Sequence, residues 1–282
     1  MPKKVTIANV FMLFLLLYII IISDALGFLL NAYPGLLAAL LRTRLILVFQ
    51  SVLFFLVPLV IAISIMHVLK YRYVTPTNPL GQTNIILIAA MSVCAQPIIL
   101  LLSAVSSLVF QNDVPGLLSW LNELPLPAAL AVIALTPAIN EELVFRGFIL
   151  THYSEVGIKK AAVINGLFFG IVHLNAHQFL YAFAMGVFFA YLVHFTRSVY
   201  ASMLSHFLVN GVQLLLSYIP VPEDSVVEAA ASANVTDMAS AIVSLTVLAL
   251  IFTPVFVILF CTFVSHNRQR NAAHDLEALL SI

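Results

Sequence analysis

Residues 138–147 read AINEELVFRG, which places Glu141, Glu142 and Arg146 in a run that is otherwise apolar enough for lipid. An ionised group at the centre of a bilayer costs about 2.5 to 3.5 kcal/mol on insertion scales, so three of them in six residues need compensation. In a helix, Glu142 and Arg146 are spaced i,i+4 and meet on one face, whereas Glu141 points about 100° away. The spacing predicts that Glu142 and Arg146 neutralise each other and that Glu141 is the acid left over.

The composition around this stretch is that of an integral membrane protein. The chain has 282 residues, of which 62% are hydrophobic and 9% are charged, and its mean hydropathy is +1.10. This leaves too little polar surface to coat a soluble globule. The formal net charge is +0 and there is no basic block, so nothing indicates nucleic acid as a partner. Cys94 and Cys261 lie in apolar runs and suggest neither a disulfide framework nor a cysteine metal site.

The apolar runs predict an all-α fold, a polytopic transmembrane helix bundle of about eight spans, since each run is near the roughly 20 residues that cross a bilayer as helix. The predicted spans lie at roughly 5–30, 45–69, 84–110, 127–150, 160–174, 177–195, 199–219 and 238–264. The first is interpreted as an uncleaved span because no A-x-A-like cleavage site follows it. Residues 1–282 are expected to form a single membrane domain with a short tail after about Ser265.

The loops between the spans predict the orientation through the positive-inside rule. With the N-terminus inside, the inner segments hold nine basic residues, Lys3, Lys4, Lys70, Arg72, Lys159, Lys160, Arg197, Arg268 and Arg270, and the outer loops hold two, Arg42 and Arg44. The segment from about Pro220 to Asp237 carries acids and no Lys or Arg, which suits the outer side. We therefore expect both termini to be cytoplasmic, in a bacterial inner (plasma) membrane.

Two further polar pairs fall within predicted spans. Phe169 and His173 close the fifth span and His206 and Asn210 lie in the seventh, each pair spaced to share a helix face. A glutamate beside a neutral histidine can hold and deprotonate a water, and a histidine and an asparagine one turn apart offer N–H donors to a developing oxyanion. Together with Glu141 they supply the parts of amide hydrolysis without a serine or cysteine nucleophile. The alternative is structural: an ion pair with a spare glutamate, and histidines that only pack.

Proline and small residues indicate how these helices pack. Pro137, four residues before Glu141, removes a backbone hydrogen bond, which tends to kink the helix and frees a carbonyl beside the acid. The patterns Gly166-x-x-x-Gly170 and Ala182-x-x-x-Gly186-x-x-x-Ala190 predict close approach of the fifth and sixth spans.

The sequence resembles a known family at these residues: the CAAX proteases and bacteriocin-processing enzymes, intramembrane endopeptidases that include the type II prenyl-protein protease. The family motifs EExxxR, FxxxH and HxxxN stand here at 141–146, 169–173 and 206–210, within the predicted catalytic helices at about 127–215. The resemblance implies that water is activated by Glu141 and His173, that the oxyanion is stabilised by His206 and Asn210, and that the site is supported by Glu142 and Arg146.

The resemblance leaves the cofactor open, because this family has been described both as metalloproteases and as metal-independent glutamate proteases. There is no HExxH motif, and Glu141, His173 and His206 would satisfy an open catalytic zinc site as readily as a metal-free pair. The implied substrate is a membrane-associated protein or peptide that reaches the site through a cleft facing the lipid bilayer.

Two other functions compete with this interpretation. A transporter or proton-coupled channel would also place ionisable residues at membrane depth, although no inverted repeat or matched pair of interrupted helices is evident. A catalytically silent membrane scaffold could keep the fold, but the intact set of Glu, His, His and Asn is unfavourable to it. Of the remaining histidines, His177 is expected to be a loop or rim residue and His152 a loop residue.

Overall fold

The computed structural model describes residues 3–71, 74–112, 114–121, 123–219 and 235–280. All regular secondary structure in these ranges is helical, which confirms the predicted all-α bundle. The helices are α1 (Lys3–Ala32), α2 (Pro34–Thr43), α3 (Leu45–Val68), α4 (Gln82–Ser107), α5 (Val114–Leu121), α6 (Leu126–His152), α7 (Ile158–Val172), α8 (Ala176–Thr196), α9 (Val199–Ser217) and α10 (Val235–Leu280).

Seven helices in the described ranges are long and apolar enough to cross a membrane, namely α1, α3, α4, α6, α8, α9 and the Ala239–Ala273 part of α10. The predicted fifth span corresponds to α7, whose 15 residues make a helix of about 22 Å, short of the roughly 30 Å of hydrocarbon. Its ends are set by left-handed backbone at Gly157 (φ 82°) before it and Leu174 (φ 49°) after it. The chain therefore turns sharply at both ends of α7.

The short tail after Ser265 continues the last helix, which the sequence did not predict. α10 continues well beyond the predicted end of the last span, and the amides of Asn267 and Asn84 exchange hydrogen bonds of 3.0 and 2.8 Å between α10 and α4. Further along α10, the carboxylate of Asp275 accepts hydrogen bonds from both Nη atoms of Arg197, at 3.0 and 3.1 Å. The cytoplasmic placement of both termini stays a prediction; Arg72 and residues 220–234 of the acidic segment lie outside the described residues.

Widened helical turns interrupt α3 and α6. The π-helical segments Val52–Leu56 and Ala131–Leu135 each end two residues before a proline, Pro58 and Pro137. A proline has no N–H for the carbonyl four residues earlier, and a π-helical turn changes the local pairing. The expected irregularity near Pro137 is thus a π-helical turn, and the kink itself stays a prediction. A third π-helical segment, Leu143–Ile149, follows the paired glutamates in α6.

Small residues bring α7 and α8 into close contact, as their spacing predicts. A Cβ atom built on Gly186 would lie 2.6 Å from Gly166 Cα, and one on Gly166 would lie 2.8 Å from the carbonyl oxygen of Phe183. Two apolar clusters flank this hairpin, one formed with α1, α3 and α6, the other with α4, α9 and α10. The polar residues of the three motifs lie where these clusters meet.

Candidate active site

Glu142 and Arg146 form a buried ion pair on one face of α6. Arg146 Nη1 donates to Glu142 Oε1 at 2.8 Å, and both side chains have an exposed fraction of 0%. Arg146 Nη2 donates to the carbonyl of Gly186 at 3.1 Å, and the guanidinium carbon lies 4.3 and 5.1 Å from the ring centroids of Phe169 and Phe189. The predicted mutual neutralisation is confirmed, and aromatic faces add to it.

His206 is a third member of this cluster, which the spacing of residues in α6 does not reveal. Its Nδ1 lies 3.0 Å from Glu142 Oε1, the oxygen that also accepts from Arg146. An ionised carboxylate only accepts, so Nδ1 carries the hydrogen and donates it. The second ring nitrogen, Nε2, is therefore the one available for chemistry. The ring itself stacks on Phe189 with centroids 5.3 Å apart.

Glu141 is separated from the ion pair, as predicted, and faces a cavity of about 220 Å³. Its side chain is 9% exposed, and among the described residues its Oε2 is buried without a hydrogen-bond partner. The same cavity is lined by His173, His206 and Asn210. The four candidate residues from three helices thus meet at one space that is much larger than a water molecule, whose share of liquid volume is about 30 Å³.

The backbone fixes His173 at the turn between α7 and α8. It is the C-cap of α7, and its Nδ1 donates to the carbonyl of Phe169 at 2.6 Å. Leu174 then adopts a left-handed conformation, and Asn175 caps α8 by accepting from two of its backbone amides. Because Nδ1 is used by the backbone, Nε2 is the nitrogen that can accept a proton or a hydrogen bond.

Asn210 is tied to the helix that carries Glu141. Its Nδ2 donates to the carbonyl of Ile133 at 3.1 Å. Ile133 lies four residues before Pro137, which has no N–H to offer that carbonyl. The side-chain amide has a second N–H, so this bond orients Asn210 without using its full donor capacity.

Polar side chains of α4 hold α9 in place beside His206. Ser92 Oγ and Ser205 Oγ are 2.8 Å apart, and Gln96 Nε2 donates to the carbonyl of Val209 at 3.3 Å. Sequence reasoning found nothing diagnostic in the third span. The signal that could have revealed these contacts is the presence of Ser92 and Gln96, two polar residues one helical turn apart, in an otherwise apolar run.

Two histidines differ from their expected places. His177 lies in the first turn of α8, is 1% exposed, and its Nε2 is 3.0 Å from Ser107 Oγ, so it is not a loop or rim residue. His152 is the last residue of α6, buried, with its Nδ1 donating to the carbonyl of Phe148 at 2.7 Å. In both cases the helix includes the position that was expected in a loop.

The candidate metal ligands do not form a recognisable metal-binding group in the described residues. Across the described part of the chain, no three His, Cys, Asp or Glu side chains form a group that could hold a metal ion. The candidate ligands Glu141, His173 and His206 therefore line one cavity but do not stand as the three protein ligands of a catalytic zinc site.

Comparison with known proteins bears on the same helices. Residues 123–212 match the sequence model of the family described as Rce1-like, type II CAAX prenyl endopeptidase. This match includes all three motifs and agrees with the family resemblance that they indicate. A stretch of 96 residues is 29% identical to the Bacillus subtilis (strain 168) protein named "Putative membrane peptidase YdiL", covering 34% of this chain and 39% of that relative. No solved structure matches the chain.

The match coincides with the part of the bundle that carries all three motifs, from just before α6 to within α9. The chain spans well under half the length of the Bacillus relative that it matches. The apolar helices and the two matches indicate an integral multi-pass membrane protein, and a bacterial relative agrees with the expected bacterial membrane.

Proposed function

We propose that this chain is an intramembrane endopeptidase that hydrolyses a peptide bond in a membrane-associated protein or peptide. The observation that carries the proposal is the meeting of Glu141, His173, His206 and Asn210 at one cavity inside a membrane bundle. The similarity to a family of prenyl endopeptidases and to a relative named as a membrane peptidase supports the same class of reaction.

In the proposed reaction, Glu141 and His173 activate the attacking water. Glu141 Oε2 is a buried acceptor without a partner among the described residues, and His173 Nε2 can accept the second hydrogen of the same water. The water oxygen attacks the carbonyl carbon while its proton passes to Glu141, which acts as general base. No serine or cysteine of the described chain lines this cavity, so water is the natural nucleophile.

In the proposed reaction, His206 and Asn210 stabilise the oxyanion that forms when the carbonyl double bond opens. Asn210 has one N–H left after its bond to Ile133, and this hydrogen can be donated to the oxyanion. His206 Nδ1 already donates to Glu142, so its Nε2 donates only when the ring carries both protons. The carboxylate of Glu142 would then stabilise the positive charge of the His206 ring. In this way the ion pair of Glu142 and Arg146 supports the oxyanion donor.

Collapse of the tetrahedral intermediate completes the reaction. The carbon–nitrogen bond breaks, the carbonyl re-forms, and Glu141 returns its proton to the leaving nitrogen. The products are a carboxylic acid and an amine, and the acid then passes its proton to the amine. A positioned general base contributes about 10² to 10⁴ to the rate, and one oxyanion donor contributes about 10² to 10³.

The test uses the full-length protein in detergent with a degenerate mixture of synthetic peptides, and mass spectrometry identifies cleaved bonds. Glu141→Gln should lower the cleavage rate by at least about 100-fold. The matched control is Glu155→Gln, which changes a half-exposed acid whose partner is Lys4 at 2.9 Å, and it should cleave like the unaltered protein. Unchanged cleavage by both Glu141→Gln and His206→Ala would refute the proposal. A chelator in the same assay decides whether a metal ion takes part.

The transport alternative is addressed by the same variants in proteoliposomes. Solute flux that persists in Glu141→Gln, together with absence of peptide cleavage in the unaltered protein, would favour a transporter.

A further inference from the structure

A second cavity, of about 330 Å³, shares Glu141 and His173 with the first. These two side chains therefore stand between two spaces within the bundle. The remaining wall of the second cavity comes from α1, α3 and the end of α7: Ile19, Ser23, Phe54, Phe55, Val172 and Leu174. The first two of these helices lie outside the region that matches the endopeptidase family.

The wall of the second cavity is apolar except near its mouth. Ile19 and Val172 are buried, at 3% and 5% exposed, and the side chains of Ser23 and Leu174 are exposed at the rim. Glu141 is its one acidic residue. Away from Glu141, His173 and the rim, a charged or strongly polar group inside the cavity would lose water without gaining partners.

Two adjacent phenylalanines of α3 line this cavity together, which an ordinary α-helix does not favour. Neighbouring residues of an α-helix point about 100° apart. Phe54 and Phe55 lie in the π-helical segment Val52–Leu56, just before Pro58, where the turn is widened. The irregular turn thus contributes two aromatic side chains to a space that ends at Glu141.

We propose that the second cavity is a specificity pocket that binds a large apolar side chain of the substrate next to the cleaved bond. The inference rests on the proposed function, because it takes Glu141 and His173 as the groups that meet the scissile carbonyl. A peptide held at these residues continues on both sides of that carbonyl. One side then faces the cavity with His206 and Asn210, and the other faces the apolar wall of Ile19, Phe54 and Phe55.

The test compares cleavage profiles of two pocket variants and one control. Ile19→Trp fills the cavity and Phe55→Ala enlarges it, whereas Phe49→Ala removes an aromatic ring from the same helix at an exposed position away from it. With a peptide mixture degenerate at every position, the unaltered protein should select Leu, Met or Phe at one position beside the cut. Ile19→Trp should lower kcat/KM for those peptides about tenfold or more and spare peptides with Gly or Ala there.

Phe55→Ala should shift the same position towards larger apolar residues, and Phe49→Ala should leave the profile unchanged. A profile that is the same in Ile19→Trp, Phe55→Ala and the unaltered protein, all active, overturns the proposal. If Ile19→Trp does not fold, Phe55→Ala alone decides it.

A binding measurement keeps the pocket separable from the hydrolysis. Glu141→Gln protein is irradiated with a peptide that carries benzoylphenylalanine at the selected position, or at each position in turn if no cleavage occurs, and the cross-linked residues are mapped. Cross-links at residues 19–23 and 54–55 that excess plain peptide suppresses support the pocket. Cross-links only on other helices, or cross-links that plain peptide does not suppress, contradict it. If the protein does not cleave peptides but still binds them in this pocket, cross-links at these residues remain, so the two proposals can fail separately.

Discussion

Replacing Gly186 with alanine should have two effects at once. It should push α7 and α8 apart, and it should disturb the ion pair of Glu142 and Arg146 in α6. The new Cβ would lie 2.6 Å from Gly166 Cα and 3.1 Å from Phe169 Cβ. Ordinary carbon contacts lie at about 3.5 to 4.0 Å, so the two backbones must move apart by about 1 Å. The bond from Arg146 to the carbonyl of Gly186, now 3.1 Å, would stretch beyond hydrogen-bonding range.

The size of the effect follows from these two losses. Overpacking costs about 1 to 3 kcal/mol, and a lost hydrogen bond to a buried charge costs about 1.5 to 3 kcal/mol. Alanine recovers about 1 kcal/mol of helix propensity relative to glycine. The net loss of about 1.5 to 5 kcal/mol corresponds to a fall in unfolding temperature of roughly 3 to 20 °C. Because α7 carries His173, a displacement of 1 Å should also lower cleavage about 100-fold.

The assay is thermal unfolding of the purified protein in detergent, followed by peptide cleavage at a temperature where every variant is folded. Gly27→Ala in α1 is the control, since a Cβ there meets nothing within 4 Å. Gly211→Ala should be intermediate, because its nearest neighbour is the side chain of Leu130 at 3.4 Å. If Gly186→Ala unfolds and cleaves like Gly27→Ala, the close contact of α7 and α8 does not position the site and the reasoning is refuted.

Three further outcomes are expected from polar groups inside the bundle. Arg146→Met should destabilise the protein by about 3 to 5 kcal/mol, and adding Glu142→Gln should restore part of that loss, as measured by a double-mutant cycle of unfolding; additive losses would contradict the pairing. Asn84→Leu and Asn267→Leu should each lower the free energy of unfolding by about 0.6 to 1.7 kcal/mol. The double variant should be little less stable than either single variant. Asn210→Ala should lower both the unfolding temperature and cleavage; a loss of cleavage alone would assign this side chain to the transition state only.

Local geometry could be predicted from the sequence where the partners lie one helical turn apart. Glu142 and Arg146 pair as their spacing requires, and Glu141 is left to face a different space. The bounds of most spans follow from hydropathy, because the bilayer sets the length of an apolar helix. These features depend on one helix at a time.

The remaining features depend on contacts between helices that are distant in the sequence. The periodicity of residues within one helix does not predict such contacts. His206 and Glu142 are 64 residues apart, so their hydrogen bond has no local signal. The apolar wall of the second cavity could not be predicted, because hydropathy does not distinguish an exposed phenylalanine from one that lines a cavity. Phe49 is exposed and Phe55 lines the cavity, although both lie in the same apolar run. Hydropathy predicts a short fifth segment at 160–174, close to the observed α7, but it does not detect the turns at Gly157 and Leu174 that bound this helix.

The π-helical turn Ala131–Leu135 lies directly before the segment that carries the paired glutamates. A helix that passes through such a turn is out of phase with an uninterrupted α-helix by a fraction of a turn, and each residue of phase amounts to about 100°. Deleting one residue from 131–135 would keep the composition, the hydropathy and all three motifs intact. It would nevertheless let the widened turn close to an ordinary α-helical turn and remove the position at which the carbonyl of Ile133 accepts from Asn210. For this chain, the spacing within the three motifs is insufficient to predict the geometry around Glu141 unless the widened turn that precedes it is also kept.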